Sequence, residues 1–375
     1  MALRVASLGP EDERWGDWRW QLQNALRDAG DLAAFLPLTE AERRGLELGA
    51  GVFRIGITPY YASLIDRADP DCPIRRQVVP LAQEAVVLPT EHRDPLGEDL
   101  YRPTRALVHK YPDRALLIAV DHCAIYCRHC TRRRITAGGE ASFDAAAMDE
   151  ALAYLREHPG IREVIVSGGD PLLLSDERLD ALLGQLRSLP SLEVLRVASR
   201  LPAALPMRIT EALAALLRRH APLYLMTHFN HPRECTPEAM AAAERLVDAG
   251  VPVENQTVLL RGVNDSAEIL RELNLTLLRH RVRPYYLHQG DLAAGTAHLR
   301  TTLQEGLAIL RELRGRVSGL AIPHYAIDLP GGGGKVVLAP DPIVERGEGT
   351  ITLRDFRGGA FVYPDPGPDA EGRTR

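Results

Sequence analysis

From about residue 115 the chain alternates between short aliphatic or β-branched runs and longer stretches whose apolar positions recur every three or four residues. The short runs, 115–120, 163–166, 192–198, 223–227, 253–260 and 284–287, predict strands, and the stretches 148–157, 176–188, 210–220, 237–249 and 266–279 predict amphipathic helices. Helices of this length suit crossovers between parallel strands, which are covered on their faces and so read as near-continuous apolar runs. Six βα units follow, two short of a closed eightfold barrel. The pattern therefore predicts an α/β fold, an incomplete (β/α)6 TIM-like barrel, with its chemistry at the C-terminal ends of the strands. Ahead of it, Trp15, Trp18, Leu22 and Leu26 share one helical face as core or interface, and a Pro- and Asp-rich stretch runs from Asp66 to Pro80. Residues 1–100 thus read as an N-terminal helical region and 101–300 as the barrel. Residues 301–363 read as a C-terminal segment with a helix over 303–314 and a hairpin over 350–363; the tail 364–375, rich in Pro, Asp and Gly, is expected to be disordered.

Composition narrows the classes. A chain of 375 residues, 45% hydrophobic and 25% charged, buries a large core without disulfides. Of its five cysteines three lie on one loop, which points to metal binding in a reducing compartment, and a cytoplasmic location is expected. No signal-like segment and no bilayer-length apolar run is present, so no membrane association is expected. A net charge of −5 weakens binding to a polyanion, so nucleic acid is not an expected partner.

The chemistry-bearing residues fall where the barrel pattern puts strand ends. The first strand is followed by Cys123, Cys127 and Cys130, the second by Ser167-Gly168-Gly169-Asp170, the third by Ser199-Arg200, the fourth by His228-Phe229-Asn230 and the sixth by Gln289-Gly290-Asp291. Three thiolates spaced C-x3-C-x2-C can hold three irons of a [4Fe–4S] cube and leave the fourth open to a ligand. The competing reading is a zinc knuckle, but His122 and His129 lie on the same loop, where they cannot complete a two-lobed site. Ser167–Asp170 is either a tight βα turn or a glycine-rich cradle that lets a ligand reach backbone N–H groups. Gly331–Gly334 before Lys335 is either a flexible linker or a permissive backbone that holds a confined, nucleophilic lysine, as covalent attachment of pyridoxal phosphate (PLP) requires. Lys110, Tyr111 and Arg114 form either a solvated basic turn or a phosphate contact.

With these motifs in the order Ile57-Thr58-Pro59-Tyr60-Tyr61, Tyr126 to Arg134, Thr227-His228-Phe229-Asn230-His231-Pro232, Leu260 to Asp265 and Asp328 to Lys335, the chain from Trp15 to Tyr363 resembles the lysine 2,3-aminomutases. These belong to the radical S-adenosylmethionine (SAM) superfamily. The resemblance implies a [4Fe–4S] cluster on Cys123, Cys127 and Cys130 whose open iron chelates SAM, and a 5′-deoxyadenosyl radical made by one-electron reduction. It implies that Lys335 holds PLP, with Lys110, Tyr111 and Arg114 near the phosphate. Ser167, Gly168, Gly169, Asp170, Ser199, Arg200 and His228 would face SAM, Gln256 would lie near the cofactors, and Arg132 would bind the substrate α-carboxylate. Asp291 and Asp328 correspond to the acids that grip the distal ammonium of lysine, and two buried acids favour a cation between them.

The same resemblance implies a flavodoxin- or ferredoxin-type reductant and a homo-oligomer. Lys110 stands where the family leads one to expect arginine, which keeps the charge and loses the planar fork. Some members bind zinc through a cysteine after the Val-Asn-Asp turn and a C-terminal cysteine cluster; here Ser266 stands at the first place and no cysteine follows Cys235, so no zinc is expected. Lysine to β-lysine is the expected reaction. The alternatives are an arginine 2,3-aminomutase, the branch that supplies β-lysine for elongation factor P, and a non-catalytic iron–sulfur electron-transfer or sensor protein. Asp328 and the glycine run favour the free-lysine enzyme over the elongation-factor branch.

Overall fold

The computed structural model describes residues 10–49, 54–138 and 144–365. Nine strands form one sheet in chain order: β1 Leu107–Tyr111, β2 Arg114–Val120, β3 Glu163–Gly168, β4 Val194–Ala198, β5 Leu223–Thr227, β6 Val253–Leu259, β7 Arg283–Gln289, β8 His324–Leu329 and β9 Gly334–Leu338. Strands β2 to β8 pair in parallel, while β1 and β9 run antiparallel at the two edges. The six expected strands are β2 to β7. The run after helix Leu303–Leu313 adds β8 to the same sheet, and the glycine turn folds β9 back on it.

Alternation along the strands decides where the core sits. On β3, β4 and β5, Val164, Val166, Leu195, Val197, Leu223 and Leu225 point outward and are buried against the helices. Leu155, Leu183, Leu217, Leu246, Leu270 and Leu277 cover them from those helices, each contributing about 1.5–3 kcal/mol by burial. The alternate residues, among them Ser167, Arg196, Tyr224, Glu254, Gln256, Tyr286 and His288, point inward and line space instead of filling it. The barrel is therefore hollow and polar inside. Its polar lumen makes room for ligands that a packed core would exclude.

The edges β1 and β9 do not pair as a ladder. They meet through side chains: the backbone N–H of Lys335 donates to the Tyr111 hydroxyl at 2.9 Å, and the Tyr101 hydroxyl donates to the Gly332 carbonyl at 3.2 Å. Gly332 has φ +81, and a Cβ there would stand 2.8 Å from the Tyr101 ring, so the turn needs glycine both for its backbone and for its fit. The N-terminal helices build a second core around Leu26, Leu32, Ile57, Tyr61 and Ile74, and Ile125 of the cysteine loop is packed into it. The tryptophan-bearing segment is held inward: Trp20 is buried, and Trp18 packs on the main core. The expected C-terminal hairpin forms as β11 Thr350–Arg354 and β12 Ala360–Pro364, joined by β10 Ile343–Gly347 in a separate three-stranded sheet. Of the expected disordered tail, residues 366–375 lie outside the described residues.

Candidate active site

The cysteine loop leaves the C-terminal end of β2 and is fixed from below. The Arg128 guanidinium grips Glu84 at 2.8 and 2.6 Å, and its backbone N–H donates to the Gln77 carbonyl at 2.8 Å. That ion pair is buried, with Arg133 a second cation 3.5 Å from Glu84, and loss of Glu84 is expected to cost up to about 3–5 kcal/mol. Cys123, Cys127 and Cys130 line a cavity of ≈ 330 Å³ at the barrel mouth. Among the described residues no group of three His, Cys, Asp or Glu side chains is placed to hold a single metal ion; all three thiols line the one cavity, and a cluster would take one thiolate per iron. Burial pushes the Cys123 and Cys130 thiols up, the direction that binding to a cluster of cations would reverse.

Arg200 faces the loop rather than open space. Its Nη1 donates to Cys127 Sγ at 2.6 Å, and Nη2 is held by Glu234 at 2.8 Å, Gln77 at 2.5 Å and the Tyr61 hydroxyl at 3.1 Å. Its Nε and the Nδ1 of His129 are buried without a partner, polar groups left for a ligand in this cavity. The rings of His129 and His228 stack with centroids 5.4 Å apart, and burial pushes both well below the usual histidine range, so both are neutral.

The glycine turn after β3 has a tighter reason for its composition than ligand access. A Cβ on Gly168, at φ +110, would stand 2.3 Å from the Val120 carbonyl oxygen, and one on Gly169 would stand 2.2 Å from that of His122. The turn therefore presses against the backbone that carries the cysteines. Asp170 accepts from the Arg200 backbone N–H at 2.8 Å and that of Leu172 at 3.2 Å, and burial raises it to about 6. Ser199, which bonds Asp170, also accepts from the Leu201 N–H at 3.1 Å, so these residues shape the cavity wall as well as lining it.

Below the cysteine loop the lumen opens into a second cavity of ≈ 710 Å³, lined by Tyr111, Arg114, Arg132, Tyr286, His288 and Lys335 among others. Arg132, Ser167, Gln256, His288 and Lys335 line both cavities, so one space runs from the cluster end to the lysine. The sequence contains only two lysines, Lys110 and Lys335. Lys110 is not among the residues lining either cavity, and its ammonium donates to the Leu96 carbonyl at 3.1 Å. Arg114 stays with Tyr111, its guanidinium 3.9 Å from the ring centroid.

Asp328 and Lys335 are directly opposite in the β8–β9 register, and Lys335 Nζ donates to Asp328 Oδ2 at 2.5 Å. Arg132 is held along one edge by Glu98, with Nε at 2.9 Å and Nη2 at 2.7 Å, while Nη1 turns toward Ser167 Oγ at 3.3 Å and the lumen. Glu98 carries no local signal in the sequence, since its partner lies 34 residues on. His288 was equally unmarked. Its phase on β7 shared with Tyr286, once the register with Gln256 on β6 is known, is what reveals it as inward-facing.

Asp291 is pushed up to about 7, first by burial and then by the charge of Asp328, with Lys335 pulling it down. A carboxyl so raised is protonated below its pKa, and only its carboxylate attracts an ammonium. Apparent affinity for an ammonium-bearing ligand is therefore expected to fall as pH drops through about 7. The substitution Asp291→Asn should remove that acid limb from the pH profile of kcat/KM, and an unchanged limb would assign it to another group.

Residues 117–273, which carry the cysteine loop and strands β3 to β6, match the family model for the Radical SAM superfamily, and together with the full-length relatives that follow this makes the chain a radical SAM enzyme. Residues 310–375, which end the barrel and carry Asp328 and Lys335, match a second model, Lysine-2,3-aminomutase. The L-lysine 2,3-aminomutase of Clostridium subterminale is 44% identical over 355 residues, 95% of this chain and 85% of that protein. That of Bacillus subtilis (strain 168) is 44% identical over 355 residues, 95% and 75% of the two chains. The glutamate 2,3-aminomutase of Clostridioides difficile (strain 630) is 39% identical over 361 residues, 96% and 85%. The chain belongs to the lysine 2,3-aminomutase family, isomerases that use a [4Fe–4S] cluster, SAM and PLP. Among the described residues no helix is long and apolar enough to cross a membrane.

Proposed function

We propose that this protein converts L-lysine to β-lysine by moving the amino group from C2 to C3. The observation that carries the reading is the placement of Asp291 and Asp328 in one lumen with Arg132, which gives a substrate one cationic and one acidic anchor. Arg132 would take the α-carboxylate on the edge that Glu98 leaves free, and the two aspartates would take the distal ammonium. An acidic side chain would meet like charge at that end, which disfavours glutamate. When bound, the reduced cluster and SAM supply a carbon-centred radical, and PLP supplies a π system over which unpaired spin spreads.

The chain's own part is placement. Lys335 would tether PLP, and Tyr111 and Arg114 would meet its phosphate. Cys123, Cys127 and Cys130 would hold the cluster, and Gly168, Gly169, Ser167, Asp170, Ser199, Arg200, His228 and Gln256 would shape the SAM side of the cavity. Anchoring the substrate at both ends holds C3 toward the cluster side, the kind of orientation worth several orders of magnitude in rate. A flavodoxin- or ferredoxin-type donor would supply the electron. Exposed Phe361, Val362 and Tyr363 on the outer sheet support assembly with further copies.

The test is anaerobic incubation of reconstituted protein with dithionite, SAM and each amino acid. β-Lysine from lysine is expected; preferential turnover of arginine or glutamate would overturn the substrate. In the same assay Asp328→Asn is expected to lower kcat/KM for lysine by about 10²-fold, in keeping with the roughly 2–5 kcal/mol lost when one partner of a buried charge pair is removed.

A further inference from the structure

His288 sits between the two cavities with both ring nitrogens engaged. Its Nε2 lies 3.2 Å from Gln256 Oε1 and its Nδ1 lies 3.5 Å from Lys335 Nζ. An amide oxygen only accepts, so Gln256 places the hydrogen on Nε2 and leaves the lone pair of Nδ1 facing Lys335. Among the described residues Lys335 Nζ has one other hydrogen-bond acceptor, Asp328. Under the proposed function, on which this inference rests, Asp328 is occupied by the distal ammonium once lysine has entered, and His288 is the base left beside Nζ.

We infer that the His288 imidazole carries the protons exchanged between the substrate α-nitrogen and Lys335 Nζ as PLP passes from one to the other. The substrate nitrogen arrives as an ammonium and must shed a proton before its lone pair can attack the PLP carbon bonded to Lys335. The new carbon–nitrogen bond forms, the bond to Nζ breaks with its electron pair left on Nζ, and Lys335 departs as an ammonium. The substrate nitrogen ends with two hydrogens fewer and Nζ with two more, so protons cross from one to the other and no electrons are gained or lost. Nδ1 takes each proton from the first nitrogen and returns it to the second. Burial, and then the charge of Lys335, hold the imidazole well below the usual histidine range, so it is unprotonated at rest, and the part due to Lys335 is present only while Nζ carries its charge.

The exchange can be watched apart from turnover. Protein carrying PLP and cluster, with neither SAM nor reductant, is mixed rapidly with L-lysine and followed by the change in PLP absorbance. His288→Asn, which keeps a hydrogen-bonding acceptor that cannot carry a proton, and His288→Phe are expected to slow the exchange by about 10²-fold or more. His288→Ala should be slow and partly restored by added imidazole, which a merely structural role would not produce. A rate within about threefold of the unsubstituted protein in the Asn or Phe variant overturns the inference, as does a slow Ala variant that imidazole leaves slow. Failure of the unsubstituted protein itself to exchange with lysine, while exchanging with another amino acid, would instead overturn the lysine assignment.

Discussion

Replacing Lys335 with alanine is expected to abolish the absorbance that PLP gains on covalent attachment, and all turnover with it, while leaving the cluster iron unchanged. The expectation is sharper than for most PLP proteins because the chain has only two lysines. Lys110 is the sole alternative; it is not among the residues that line either cavity, and its ammonium donates to the Leu96 carbonyl. Lys335 by contrast projects from β9 into both cavities, with its backbone N–H tied to Tyr111 and its ammonium between Asp328 and His288. Alanine at this position keeps the strand and its backbone hydrogen bond, since the Tyr111 contact is to the N–H, so the barrel edge should stay closed. A retained absorbance in Lys335→Ala would move the attachment to Lys110, and Lys110→Ala would then remove it.

That separation between backbone role and side-chain role was not legible in the sequence, whereas the cysteine loop was. Cys123, Cys127 and Cys130 are close in sequence, and their spacing alone defines the local chemistry. The strands β2 to β7 were readable for the same local reason, but the place of β8 as the seventh parallel strand depends on a pairing with β7 that no single segment encodes. Gly168 and Gly169 were recognised as necessary, yet the reason lies in contact with Val120 and His122, across a strand pair. Arg200 was expected to face SAM, and its donation to Cys127 joins residues 73 apart. Glu98 and His288 were missed outright, because a carboxylate opening a short 3-10 turn and a histidine in a strand acquire meaning only from their partners, Arg132 and Lys335. The pattern is physical: local spacing reveals ligands, while register and long-range burial reveal what orients them.

The substitution Cys127→Ala is expected to give the opposite outcome to that at Lys335: loss of cluster iron, of the reduced-cluster electron paramagnetic resonance signal and of SAM cleavage, with PLP absorbance retained. Three thiolates are the minimum that leaves one iron of the cube open, so removing one leaves two irons without a protein ligand. Cys127 is also the thiol to which Arg200 donates, and hydrogen bonds to cluster sulfurs help set the reduction potential. The loop itself should survive, because Arg128 with Glu84 and the packing of Ile125 in the N-terminal core anchor it independently of any metal. The Arg200 charge stays compensated by Glu234 at 2.8 Å, so alanine at position 127 strands no buried cation. PLP attachment depends on Lys335 and the lower cavity, whose lining includes none of the three cysteines. Iron and sulfide analysis beside the PLP spectrum of one preparation decides the matter. Full iron in Cys127→Ala would remove this thiol from the cluster, and joint loss of iron and PLP would show that the two ends of the lumen do not form independently.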